Sequence, residues 1–173
     1  ICISGTLNLT ASNIAGATYN WNGPNGFTST LQNPTITGAS TLATGVYSVN
    51  ATVGGCTGPA GTFSVTVFGI PSPPTLASNS PICAGQTLSL TATTIVGASY
   101  SWTGPNSFSS TLQNPTISGV TLAAAGTYSV LVNVSGCGSA VSTIAVSVNP
   151  TPAAPTAGSN SPLCAGSTIN LTA

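Results

Sequence analysis

The sequence contains no Lys, Arg, Asp, Glu or His in 173 residues, so its net charge is zero. Ordinary soluble domains carry about a quarter charged residues, and an omission this complete reflects selection or a biased source. Most chemistry is excluded with it. General acid and base catalysis near neutral pH draws mainly on His, Asp, Glu and Lys, hard cations take carboxylates, and nucleic acid is held through Lys and Arg. Ser, Thr, Tyr and Cys remain as reactive groups with nothing to activate them. The chain therefore reads as a non-enzyme, with no catalytic, cofactor or metal site and no nucleic-acid partner.

Long apolar runs are also missing. A helical membrane span needs roughly 18 or more consecutive apolar residues, and here Ser, Thr, Asn and Gly break every run, so no span is expected in these residues. Disorder is excluded from the other side, because it goes with low hydrophobicity and high net charge, whereas 41% of these residues are apolar. Met is absent, the helix formers Glu, Lys and Arg are absent, and β-branched residues are plentiful. That balance favours strands and turns, so the fold class is all-β.

What is present is a repeat. At a constant offset of 81 residues, Ile1-Cys2 returns as Ile82-Cys83, Tyr19 and Trp21 as Tyr100 and Trp102, and the string Leu31-Gln32-Asn33-Pro34-Thr35-Ile36 as residues 112–117. Tyr47 returns as Tyr128 and Cys56 as Cys137. Residues 1–92 set against 82–173 give 50 identities without a gap, and a third copy begins with Ser159-Asn160-Ser161-Pro162. The expected organisation is a module lacking its first strand (1–69), a complete module (70–150) and the first strands of a third (151–173), cut from a longer tandem array. About 80 residues suit one sandwich of seven short strands. In the complete module Leu88, Leu90 and Ala92 alternate onto one face, as do Tyr100 and Trp102. A long strand from Gly126 ends in a hairpin at residues 135–138, and proline-rich stretches at 70–74 and 149–155 form stiff joints.

These features in this order resemble an immunoglobulin-like domain: the Leu88-x-Leu90-x-Ala92 strand, the Trp102 strand, and Gly126-Thr127-Tyr128 as a tyrosine corner. Ala92 and Val130, with Ala11 and Val49, stand where many members carry an inter-sheet disulfide. The phrase Asn-Ser-Pro-Ile-Cys-Ala-Gly-Gln-Thr-Leu-Ser-Leu-Thr-Ala, the Tyr-x-Trp-x-Gly-Pro-Asn segment and the Gly-x-Tyr-Ser-Val run are similar to the tandem immunoglobulin-like repeats of large secreted surface proteins of Bacteroidetes. The resemblance covers the whole chain and implies export, an extracellular or cell-surface location, and display as a stalk or fibre.

In an exported protein, cysteines at fixed repeat positions point to disulfides, and the candidates are Cys2, Cys56, Cys83, Cys137 and Cys164. Two pairings are open. Cys83 with Cys137, and Cys2 with Cys56, would staple each module internally. In the immunoglobulin layout, however, these cysteines lie at opposite poles, whereas the poles of successive modules face each other; that favours Cys2 with Cys137, and bonds from Cys56 and Cys83 to modules beyond. Trp21, Trp102, Tyr47 and Tyr128 are the expected core. Exposed, Tyr19, Trp21, Tyr100 and Trp102 would instead form a sugar-stacking platform. Phe27 and Phe108 are the better candidates for exposed contacts, with capping of the core as their alternative. Asn8, Asn50, Asn133 and Asn170 fit the N-x-[ST] pattern, with Asn8 and Asn170 facing outward.

The functional expectation is a structural repeat: a charge-free rod that projects as an adhesin stalk or extracellular filament. Its partners are neighbouring modules of the same chain and identical chains in a fibre. The competing expectation is a multivalent module for carbohydrate or another cell surface.

Overall fold

The computed structural model describes residues 1–172; Ala173, which closes the expected 151–173 segment, lies outside the described residues. Helical structure among them is limited to three single 3-10 turns at Pro24–Gly26, Thr41–Ala43 and Leu122–Ala124. Everything else regular is strand. In the first half these are β1 (Leu7–Asn8), β2 (Thr18–Asn22), β3 (Thr28–Ser29), β4 (Thr35–Ile36), β5 (Gly45–Val53), β6 (Cys56–Thr57) and β7 (Gly61–Val65). The second half adds β8 (Leu76–Ser78), β9 (Ile82–Cys83), β10 (Leu88–Ala92), β11 (Ser99–Gly104), β12 (Phe108–Ser110) and β13 (Thr116–Ile117). It ends with β14 (Gly126–Val134), β15 (Cys137–Gly138), β16 (Ser142–Val146) and β17 (Val148–Asn149). A short ladder of β18 (Gly158–Ser159) and β19 (Leu171–Thr172) follows.

Each half is a sandwich with its own core. In the second, β12-β11-β14-β15 form one sheet with β16 also on β14, and β13-β10-β8 form the other. Parallel pairing of β17 with β9 closes the flank. In the first, β3-β2-β5-β6 with β7 make one sheet and β1-β4 what there is of the other. Alternation decides which side chains meet between the sheets. Leu88, Leu90 and Ala92 of β10 point inward against Tyr100 and Trp102 of β11 and Tyr128, Val130 and Val132 of β14. Trp102, Tyr128, Leu88 and Val132 are fully buried. The corresponding first core gathers Leu7, Leu9, Tyr19, Trp21 and Tyr47.

The strand pairings are finished by neutral amides where a charged protein has wider choice. Gln113 Nε2 donates to the Ala92 carbonyl at 2.8 Å while Asn114 Oδ1 accepts the Ala92 N–H at 3.1 Å. Gln32 and Asn33 clamp Ala11 in the same manner. The next residue of the string, Pro115 or Pro34, offers its carbonyl to the N–H of Leu90 or Leu9. The repeated Leu-Gln-Asn-Pro thus fastens the end of one strand to the loop beside it.

Tyr128 organises the turn region. Its hydroxyl donates to the Ala124 carbonyl at 3.0 Å, and Tyr47 does the same to Ala43 at 2.9 Å. Gly104 passes so close that a Cβ there would land on the Tyr128 ring, and Gly126, at φ +142°, could carry a Cβ only by pressing on Pro105. Gly104→Ala is therefore expected to lose about 2–3 kcal/mol of stability through overpacking, seen as a lower denaturation midpoint. Burial pushes the Tyr47 and Tyr128 phenols above the usual value of 10.0. Below the unfolded value both states hold these protons and stability does not change. Above about pH 10 the unfolded chain releases them first, so stability falls. With no carboxylate or imidazole side chain to titrate, thermal melting across pH should show an alkaline limb and a flat acid side.

Candidate functional site at the joint between modules

The cysteines meet at the joint. Cys2 precedes β1 and is bridged in parallel to Phe68, at the far end of its own sandwich. Cys137 opens β15, directly across the hairpin from Val134. That hairpin is tight, with Ser135 at φ 53° and Gly136 at φ 85°, the two left-handed residues that a two-residue connection requires. The Cys2 and Cys137 sulfurs are bonded at 2.06 Å with Cα atoms 5.6 Å apart, across 135 residues of sequence. The turn end of one sandwich is thereby stapled to the hairpin end of the next.

The alternative pairings, Cys83 with Cys137 and Cys2 with Cys56, are not formed. Cys83 lies beside Asn149, just beyond the place where Gly126 begins β14, while Cys137 faces Val134 at the other end of that strand. Nine residues of strand separate those ends by about 30 Å, against the roughly 7 Å limit for bridged Cα atoms. Cys56, Cys83 and Cys164 are thiols, with Cys56 and Cys164 exposed and Cys83 half-buried. The bonded Cys137 is 1% exposed, whereas its counterpart Cys56 is an exposed thiol.

The aromatic candidates go inside. Trp21 and Trp102 are 3% and 0% exposed, which removes the stacking platform. Tyr19 and Tyr100 are also buried, and their hydroxyls each donate to one backbone carbonyl, of Ser12 or Thr93, and accept one N–H, of Ile14 or Ile95. Of the two places open to Phe27 and Phe108, the structure has the core cap and not the exposed contact. They are half-buried and meet Tyr47 and Tyr128 edge-on, with centroids 5.6 and 5.4 Å apart. Offset edge-to-face packing satisfies the aromatic quadrupoles, so these rings cap the core. Among the sequon residues, Asn8 and Asn170 are exposed, while the Asn50 and Asn133 side chains bond neighbouring backbone at Gly58 and Gly136.

Among the described residues no group of three or more His, Cys, Asp or Glu side chains comes together to hold a metal, and no helix is long and apolar enough to cross a membrane. A feature that sequence reasoning did not place is a groove of about 390 Å³ in the first sandwich, lined by Ala11, Tyr19, Trp21, Val49, Ala51 and Phe63 among others. The one signal for it was the missing first strand of that module.

No protein-family model matches the sequence, and no curated protein does. Solved structures do. A chain of the crystal structure of mouse coronavirus receptor-binding domain complexed with its murine receptor superposes with a TM-score of 0.59 at 15% identity, covering 86% of this chain and 95% of that one. Murine CEACAM1b gives 0.53 at 18% identity, covering 86% and 95%. Drosophila OTK extracellular domains 3–5 give 0.52 at 12%, covering 88% of this chain and 58% of that one. At such identities the likeness is one of fold, and that fold is immunoglobulin-like.

The staple makes a prediction of its own. Removing a cross-link that spans 135 residues returns to the unfolded chain an entropy worth about 5 kcal/mol before strain is subtracted. Cys2→Ala should lower the denaturation midpoint measured without reductant, and adding reductant to the unmodified chain should bring it to the same place.

Proposed function

We propose that this chain is a segment of an extracellular shaft, in which modules divided near residues 69 and 150 are set in line and clamped at each joint. The observation that carries the reading is the Cys2–Cys137 bond, because it ties one sandwich to the next rather than closing either on itself. A clamp at that place restrains bending, which is what a spacer needs and a freely jointed string of binding domains does not. Disulfides persist in oxidising compartments, which supports an extracellular or cell-surface location. The shaft is of the kind implied by the resemblance to surface-protein repeats of Bacteroidetes.

Neutrality supports the same reading. Near zero net charge nothing repels a second copy, so side-by-side or end-to-end association into fibres is the expected behaviour. Carbohydrate binding loses its best surface with the burial of both tryptophans.

The test is negative-stain microscopy and small-angle scattering of the chain with and without reductant. The maximum dimension should shorten and the angle between modules should broaden on reduction. Between millimolar and molar salt, or with a chelator, the particles should not change, since neither ion pairs nor metals hold them. Identical angle distributions before and after reduction would remove the staple from the account of stiffness.

A further inference from the structure

One turn occurs in both modules with a single difference at its centre. Between β2 and β3 the Phe27 N–H donates to the Pro24 carbonyl at 3.1 Å, and between β11 and β12 the Phe108 N–H donates to Pro105 at the same distance. The two central residues are left-handed each time, Asn25 at φ 55° and Gly26 at φ 71°, Asn106 and Ser107 both at φ 58°. This is the turn type for which Asn-Gly is the preferred pair. The first module has Asn-Gly there, and the second has Asn-Ser.

Asn followed by Gly carries a chemistry that needs no acid or base side chain. The backbone nitrogen after the Asn attacks the side-chain amide carbon, and a residue without a Cβ obstructs that approach least. The sequence holds two such pairs, Asn22-Gly23 and Asn25-Gly26, and the fold treats them oppositely. Asn22 lies in β2 between Thr28 of β3 and Ser48 of β5. Gly23 donates its N–H to the Phe27 carbonyl at 2.9 Å, and a Cβ on it would land on the Tyr47 ring. The Asn22–Gly23 peptide is thus held by strand pairing and by packing, and it cannot swing toward the Asn22 side chain. Asn25 and Gly26 are exposed, and nothing lies within 4 Å of the place a Gly26 Cβ would take. The close hydrogen bonds of the turn run from Gly23 to Phe27 and from Phe27 to Pro24. They pass the Gly26 N–H by, so the Asn25–Gly26 peptide can rotate without giving up a bond of its own.

We propose that Asn25 is a site of spontaneous modification that gives this neutral chain an anionic side chain. The Gly26 nitrogen bonds to Asn25 Cγ, the bond from Cγ to the side-chain nitrogen breaks, and that nitrogen leaves as ammonia with the proton of the Gly26 amide. A five-membered imide remains. Water adds to one of its two carbonyl carbons and the ring C–N bond at that carbon opens. Opening at Cγ gives Asp; opening at the backbone carbon leaves the main chain running through the side chain, one carbon longer. Either way ammonia is lost, water is gained, and a carboxyl ionised at neutral pH stands where an amide was. In the longer product the bond from Phe27 to Pro24 and the edge-on seat of Phe27 on Tyr47 are loosened. The modification does not depend on the shaft reading. Its effect on assembly rests on that reading, because the association that neutrality permits is opposed once each copy carries the same charge.

The test is peptide mapping by mass spectrometry of the folded chain held for days at mildly alkaline pH. Asn25 should acquire the mass of the acid several-fold faster than Asn106, while Asn22 stays an amide. In denaturant with reductant, Asn22 and Asn25 should react alike, because only the fold separates them. Gly26→Ser reproduces the turn of the second module and should slow Asn25 to the pace of Asn106; Ser107→Gly should bring Asn106 up to the pace of Asn25. Anion exchange should resolve the aged chain into a neutral and an acidic fraction. In sedimentation velocity the acidic fraction should associate less than the neutral one in low salt and equally in high salt, where repulsion is screened. A folded chain in which Asn22 reacts as fast as Asn25, or Asn25 no faster than Asn106, overturns the site. A neutral fraction that stays monomeric overturns the association reading and leaves the site standing, and equal association of the two fractions in low salt overturns the effect on assembly alone.

Discussion

A single neutral hydrogen bond, from the Tyr128 hydroxyl to the Ala124 carbonyl, sits at the centre of the second sandwich, and much of the surrounding geometry follows from keeping it buried. The ring has no exposed surface, so the 3-10 turn ending at Ala124 must fold back over it and β14 must start at Gly126. Gly104 is pressed against one part of the ring and Phe108 meets it edge-on. The residues that end β11 and open β12 are thus fixed against the strand that pairs with both the centre and the edge of their sheet. Tyr47, Gly23 and Phe27 make the same set of contacts in the first sandwich.

A chain without charge satisfies its buried polar atoms with groups of the same modest strength, and the buried Trp102 indole N–H finds no partner at all. A neutral hydrogen bond contributes only about 0.5–1.5 kcal/mol net, yet leaving one unmade costs more. Specific amides therefore recur at places where a strand pairing ends: Gln113 and Asn114 on Ala92, and Asn79 on Thr87 and Ser89. The same modesty makes pairing reversible. Nothing in such a ladder depends on ionic strength, because the chain holds no ion pair.

Alternation made much of the core legible beforehand. Leu88, Leu90 and Ala92 could be placed inside because the period is two, and Tyr100 and Trp102 because they share a face. The tyrosine corner was legible through the resemblance, its spacing being local. The place of Phe108 stays open in the sequence because its neighbours are a turn, and only the fold of that turn shows that the ring leans back onto Tyr128. The one sign of the groove in the sequence was the first strand expected to be missing from that module, and its walls could not be drawn beforehand. Its walls come from β2, β5, β7 and the end of the β1 segment, and its depth depends on a strand that in the second sandwich lies some fifteen residues away from its partner in the chain.

The cysteines were legible only through direction. Spacing alone pairs Cys83 with Cys137 as readily as Cys2 with Cys137, but strand polarity sends the first pair to opposite poles and the second to a shared joint. The bond then does something that neither sandwich can do alone. Proline dihedrals between residues 70 and 74 limit how the connecting chain bends, yet a connection at one point still lets two rigid bodies swing about it. The disulfide adds a second connection, from Cys2 to the Cys137 hairpin, and two separated tethers leave only rotation about the line that joins them. Stiffness here comes from geometry and covalent linkage rather than from attraction between charges, which is why a neutral chain can supply it.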